Sequence, residues 1–202
     1  AAAQRLPFLP IRAGLGSEAA PGYSCWALSF LGGTQMLQAY APYDRHDFFR
    51  DFPKYREFFR SLTRWNCLDA ATPPIGDSGA TGAWSCVGLS ERTMQTAFEQ
   101  FGDEVFARYL VQARDGRVEG IRGSIFDADP EAVGKRVAAI VGGPPPPLRS
   151  TFLGGFGLAI LQAPERDAGR AVWLQFGRNT GHGHTDRLNL GLYAHHVDML
   201  PD

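Results

Sequence analysis

The spacing of apolar residues changes along the chain, from a helical period in the first two thirds to a strand-like alternation in the last third. The helical part predicts four helices, over residues 22–40, 51–65, 90–110 and 129–143. Ser90 is the predicted N-cap of the third helix, which Gly102 could divide in two. Asp129 is the predicted cap of the fourth helix, with Pro130 in its first turn. Because no helix alternates with a strand, a doubly wound parallel sheet is not expected.

The last third of the chain predicts three strands, over residues 157–161, 171–176 and 188–194. In the third strand, Leu188, Leu190, Leu192 and Ala194 fall on one face, and Arg187, Asn189, Gly191 and Tyr193 fall on the other. This alternation is typical of a half-buried strand. The strands are close in sequence, so we expect an antiparallel meander.

A run of glycine and proline separates the two patterns, because Gly142–Gly143 is followed by Pro144–Pro147. Four prolines prevent a helix from continuing and favour a stiff, extended connector. The sequence therefore predicts a multidomain α then β protein: a helical domain over 1–143, a linker over 144–149, and the first strands of a β domain over 150–202.

Composition narrows the class of protein. The 202 residues are 44% apolar and carry a formal net charge of −1, which excludes a globally basic nucleic-acid binder. We expect no membrane span, since no apolar run is long enough to cross a bilayer. The three cysteines form no CxxC pair, so neither a disulfide framework nor a zinc ribbon is predicted. The first residues lack the apolar core of a signal peptide.

The residues just before the third strand are candidates for chemistry. His182 and His184 project to the same side of an extended segment and could bind a metal together, with Asp186 or Asp202 as a carboxylate ligand. Gly183 could instead twist the two histidines into separate roles, or both could simply hydrogen-bond within a turn. H-x-H-x-D is also similar to the H-x-H-x-D-H signature of metallo-β-lactamase-type hydrolases. Arg187 replaces the last histidine of that signature, and the helical region upstream does not suit that fold. A metal-dependent hydrolase is therefore the alternative function.

Three segments together resemble the heparinase II/III-like polysaccharide lyases. Residues 18–28 resemble the family's E-G-x-P-x-Y-x-x-Y-A-L stretch, residues 73–79 resemble its P-x-I-G-D-S-G loop, and residues 181–188 read Gly-His-Gly-His-Thr-Asp-Arg-Leu. The segments occur in the family's order, and the resemblance covers the chain from about Glu18 to Asp202.

The resemblance implies an incomplete (α/α) toroid followed by the start of an antiparallel β-sandwich, with the site between them. It implies β-elimination of a uronic-acid-containing polysaccharide, glycosaminoglycan- or alginate-like, by a periplasmic or secreted enzyme. We also expect the chain to be part of a larger protein. A sheet cut short would leave an open edge and an uncovered apolar face. Two copies of the chain could associate through these surfaces, so a homo-oligomer is one expected state. Upstream of Glu18 we find no Asn-His pair of the kind that the family places before its tyrosine. A non-catalytic carbohydrate-binding relative is therefore a third hypothesis.

The resemblance also implies roles for individual residues. Tyr23 would be the acid and, for one sugar configuration, the base. A phenol with an ordinary pKa of about 10 needs a cationic or hydrogen-bonding neighbour for this work, and His182 would be that neighbour, or the base for the opposite configuration. Three residues are expected to bind the sugar: Glu18, Asp77 and Arg178. His184 and Asp202 would hold a structural zinc ion, with a third ligand outside this chain. By default, an aspartate in a glycine-rich turn such as Asp77 hydrogen-bonds its own backbone.

Overall fold

A computed structural model describes the parts of the chain that carry most of the predicted elements. The described residues are 20–23, 51, 53–68, 72–78, 89–123, 125, 127–163, 165, 168–177, 181–185, 188–195 and 197–200. Four α-helices lie in these residues: α1 (Pro53–Leu62), α2 (Glu91–Phe101), α3 (Glu104–Gln112) and α4 (Ala132–Val141). Five strands form one sheet: β1 (Thr151–Leu153), β2 (Leu158–Ala163), β3 (Arg170–Gln175), β4 (Asn189–Ala194) and β5 (Val197–Asp198). Helices followed by an antiparallel sheet agree with the predicted change of pattern. The helix predicted over 22–40 lies largely outside the described residues.

The chain divides into two compact units. One unit combines residues before 89 with those after 147, and the other is the intervening segment Leu89–Pro147. The first unit therefore includes residues that the sequence assigned to two different domains. The boundaries at 143 and 149 stay a prediction.

The Leu89–Pro147 unit shows how local signals set helix ends. The Ser90 side chain accepts a hydrogen bond from the Thr93 amide at 3.3 Å, which caps α2 as predicted. Gly102 adopts the left-handed conformation, with φ of 69°, and its amide donates to the Phe98 carbonyl, so α2 ends and α3 begins just beyond. The division at Gly102 is thus confirmed.

The predicted start of α4 is wrong by two residues, because the helix begins at Ala132 and its N-cap position is Glu131. The Asp129 carboxylate does accept a backbone hydrogen bond, but from the Glu131 amide at 3.1 Å. This closes a turn before the helix instead of capping its first turn. The predicted end at Gly142 is confirmed.

The sheet is a meander in which each strand pairs antiparallel with the next. The three predicted strands are confirmed as β2, β3 and β4, and short strands β1 and β5 extend the sheet at both edges. Side chains that face each other across this register lie on the same side of the sheet. The register therefore assigns every strand residue to one of two faces.

One face of the sheet is buried. It carries Leu153, Leu158, Ile160 and Trp173, none of them more than 2% exposed, and Tyr193 at 6%. Trp173 lies directly across from Gly191 in the neighbouring strand. The absence of a side chain at Gly191 makes room for the indole ring, since a Cβ there would lie 1.8 Å from Trp173 Cζ2.

The opposite face is apolar and yet exposed. It carries Phe152 (67% exposed), Leu161 (64%) and Leu190 (53%), with the half-buried Ala159, Val172, Leu174 and Leu192 between them, and only Ala194 at the end of β4 is buried among the residues of this face that the structure describes. The leucine face of the third predicted strand therefore belongs to the exposed side of the sheet, whereas Gly191 and Tyr193 point to the buried side. The alternation was predicted correctly, but a half-buried strand ordinarily buries its leucines. Here the buried side is the one that makes room for Trp173.

Further core residues of the first unit lie in α1 and just after its end. Phe59, Leu62 and Trp65 are fully buried, and the Trp65 ring meets Phe156, in the turn between β1 and β2, edge to face at 6.4 Å. Trp65 and Trp173 are therefore both core residues of this unit. Among the described residues, no helix is both long and apolar enough to cross a membrane.

Candidate functional site

Three segments that are far apart in sequence meet in the first unit. They are residues 20–23, the 3₁₀ turn Gly76–Ser78, and residues 181–184. The Gly22 amide donates to Ser78 Oγ at 2.8 Å, and the Asp77 amide donates to the His182 carbonyl at 3.0 Å. We call this assembly the three-segment site. The 3₁₀ turn joins the other two segments, because each of them bonds to it.

Gly76 allows the turn to approach the histidine segment closely. Its φ is 55°, in the left-handed region, and a Cβ there would lie 2.6 Å from the His182 carbonyl oxygen. A side chain at this position would push the two backbones apart and also strain its own. The positive φ and the close backbone approach thus explain why the P-x-I-G-D-S-G segment has glycine at position 76.

Tyr23 and His182 are in direct contact. Their rings stack face to face, with centroids 3.4 Å apart and planes inclined by 10°. The structure therefore brings together the two residues that the sequence proposed as a catalytic pair. The geometry places an imidazole against the phenol ring, and the roles of acid and base stay predictions.

Asp77 bridges the two histidines. Its Oδ2 lies 3.0 Å from His182 Nδ1, and its Oδ1 lies 3.3 Å from His184 Nε2. The hydrogen bond from His182, followed by that from His184, holds the pKa of Asp77 below its usual value. All three side chains are a little under half exposed, at 44% for each histidine and 48% for Asp77. The site is thus open to solvent and to a ligand.

The other predicted site residues, Glu18, Arg178 and Asp202, lie outside the described residues, as does Asp186. Asp77 was predicted to bind sugar. The structure brings it to the histidines, and contact with a sugar stays a prediction.

Sequence reasoning missed the structural roles of Gly76 and Ser78. Both stand in the P-x-I-G-D-S-G segment that carried the resemblance, so the motif marked them. Their partners, however, are in segments that the motif does not contain.

A structural zinc ion needs several ligands in one place. Within the described part of the chain, no group of three or more His, Cys, Asp or Glu side chains is arranged to hold a metal ion. His184 is the described candidate ligand, and Asp202 lies outside the described residues. Because His184 Nε2 faces Asp77, a metal would have to meet this ring at Nδ1. The described residues thus do not complete a zinc centre, and the zinc stays a prediction.

Comparisons with known proteins add no relative. A scan against protein-family models finds no match, and no curated protein matches the chain. The resemblance to the lyases therefore depends on the three quoted segments.

Proposed function

We propose that this chain belongs to a polysaccharide lyase that cleaves a uronic-acid-containing polysaccharide by β-elimination. The observation that carries the proposal is the stacking of Tyr23 on His182 at 3.4 Å. Each residue comes from a different segment of the resemblance, and their contact is what a shared site requires. A chance likeness of two short motifs gives no reason for their side chains to meet.

The reaction explains why these residue types are needed. A base removes the C5 proton beside the uronate carboxylate, a C4=C5 double bond forms, and the C4–O glycosidic bond breaks. An acid then protonates the departing oxygen. Positioned side chains that transfer such protons accelerate reactions by roughly 10²–10⁴-fold. We assign the acid role to Tyr23. For one configuration of the sugar, Tyr23 is also the base and His182 supports it. For the opposite configuration, His182 is the base.

The stacked geometry suits this division of work. The His182 ring lies flat against the phenol ring of Tyr23, and its Nδ1 lies 3.0 Å from Asp77 Oδ2. The carboxylate therefore orients the imidazole beside the tyrosine.

We further propose that the helices belong to an incomplete (α/α) toroid and the sheet to a β-sandwich. The exposed apolar face of the sheet supports the second part, because the two sheets of a sandwich bury facing apolar surfaces. An acidic polysaccharide is the proposed partner, and the resemblance to the lyases favours a periplasmic or secreted location.

The test is the appearance of unsaturated sugar. The purified protein is incubated with a panel of uronans, and the absorbance of the conjugated alkene is followed. Tyr23→Phe keeps the stacked ring and removes only the hydroxyl, so we expect it to lower kcat by about 10²-fold or more. Tyr109→Phe, in α3 of the other unit, makes the same chemical change and should retain activity.

Other outcomes identify the other functions. Saturated products whose formation stops when a chelator is added indicate the metal-dependent hydrolase. Saturable oligosaccharide binding without any product indicates a carbohydrate-binding relative. Failure of every uronan to yield an unsaturated product, with a folded protein, would refute the lyase.

A further inference from the structure

Asp77 is held in place by its backbone as well as by its side chain. Its amide bonds to the His182 carbonyl at 3.0 Å, and the neighbouring Gly76 contacts the same carbonyl too closely for a side chain. The carboxylate therefore faces the two histidine rings from a fixed position. Its two oxygens contact different rings, at 3.0 Å and 3.3 Å.

The two contacts involve different ring nitrogens. Asp77 meets His182 at Nδ1 but meets His184 at Nε2. An ionised carboxylate can only accept hydrogen bonds, and a neutral imidazole has one N–H and one lone pair. Each contacting nitrogen must therefore carry the proton. The lone pair of neutral His182 is then on Nε2, and that of neutral His184 is on Nδ1.

We propose that Asp77 is a positioning residue that holds His182 and His184 in opposite tautomers. This makes Nε2 the basic nitrogen of the ring that stacks on Tyr23. The role of this nitrogen in proton transfer rests on the lyase function proposed above, whereas the tautomers themselves do not. Asp77 acts through His182 and needs no contact with the substrate.

Asp77→Asn tests the proposal, because an amide has one accepting oxygen and one donating nitrogen. In either orientation, the amide can accept from only one ring and donates to the other. The ring that receives the donated hydrogen bond must offer a lone pair and so adopt the reversed tautomer. We expect one of the two histidines to reverse in this variant.

The measurement is long-range ¹H–¹⁵N correlation of the imidazole nitrogens, at a pH where both rings are neutral. His182→Gln and His184→Gln assign the signals. In the wild type, His182 should show a protonated Nδ1 and His184 a protonated Nε2. Asp77→Glu keeps two accepting oxygens, so it should keep both tautomers. Asp115→Asn is a matched control, because this side chain is 89% exposed and in the other unit.

Kinetics then connects the tautomer to the reaction. Where the reversed ring is His182, kcat should fall by about 10²–10⁴-fold with little change in KM, since the basic nitrogen is displaced while substrate contacts remain. A wild-type His182 with its lone pair on Nδ1 would overturn the proposal. An Asp77→Asn variant in which both rings keep the wild-type tautomers would also overturn it. A loss of kcat in a variant whose His182 keeps the wild-type tautomer would do the same.

The two proposals fail in different ways. If no uronan is cut but the tautomers are as expected, the lyase function fails and the control of the rings by Asp77 stands. If a uronan is cut and the tautomers do not depend on Asp77, the lyase stands and this inference fails.

Discussion

The contact between Gly191 and Trp173 allows a quantitative prediction for Gly191→Ala. The new Cβ would lie 1.8 Å from Trp173 Cζ2 and 1.9 Å from Cε2. Carbon atoms pack at about 3.5–4.0 Å, so the indole ring has to move by roughly 2 Å. Trp173 is 2% exposed and surrounded by core. The ring therefore cannot shift without disturbing its neighbours.

The magnitude follows from these constraints. Overpacking a core costs about 1–3 kcal/mol, and expelling the indole would approach the ~3–5 kcal/mol of a large-to-small Trp substitution. Alanine recovers about 0.5–1 kcal/mol through its lower backbone entropy. We expect the free energy of unfolding to fall by about 2 kcal/mol, which lowers Tm by roughly 4–8 °C in a chain of this size.

Urea unfolding followed by circular dichroism measures this loss, with the slope of the transition expected to be unchanged. Gly143→Ala is the matched control. A Cβ there would make only an ordinary contact of 3.5 Å with the Ile140 carbonyl, so stability should change little. In a Trp173→Phe background, which lacks the outer ring, Gly191→Ala should be less harmful by about 0.5–3 kcal/mol. An equal loss in both backgrounds would refute the steric argument, as would a loss below about 0.5 kcal/mol.

Two further predictions concern a helix cap and a titrating group. Ser90→Ala removes the oxygen that accepts from the Thr93 amide and should destabilise the protein by about 1 kcal/mol, measured by the same urea transition; an unchanged midpoint would contradict the capping role. Burial raises the pKa of Asp198 above its usual value, because loss of water disfavours the charged carboxylate. The contribution of Asp198 to stability is therefore fully present below the pKa that Asp198 has in the unfolded chain. It is lost as pH rises through the higher pKa that Asp198 has in the folded protein. Asp198→Asn should gain stability relative to the wild type over that pH range, and parallel stability curves would contradict the assignment.

The sequence predicts those features that neighbouring residues encode. Ser90 and Gly102 are local signals, and they mark the start and the end of α2 as expected. The alternation of leucines predicts β4. It does not predict which face of β4 is buried, because that depends on Trp173 in a different strand. Asp129 shows the limit even of local reasoning, since the same carboxylate can close a turn or cap a helix.

The candidate site is predictable in part. The motifs single out Tyr23, Asp77, His182 and His184, and the structure brings all four together. The bridging of two histidines by Asp77 could not be predicted, because Asp77 and His182 are 105 positions apart. No periodicity or turn signal spans such a distance, and the pairing exists only once the three segments have folded together.

The same separation has a consequence for how the protein is made. Asp77 leaves the ribosome long before His182, and at about 5–20 residues per second the interval is roughly 5–20 s. During that time the intervening segment Leu89–Pro147, which forms a compact unit of its own, can fold. During this interval, the hydrogen bonds of Asp77 to His182 and His184 cannot form, because the histidine segment has not been made. The three-segment site is therefore completed only after His182 is made, so no ligand can bind to the assembled site before then.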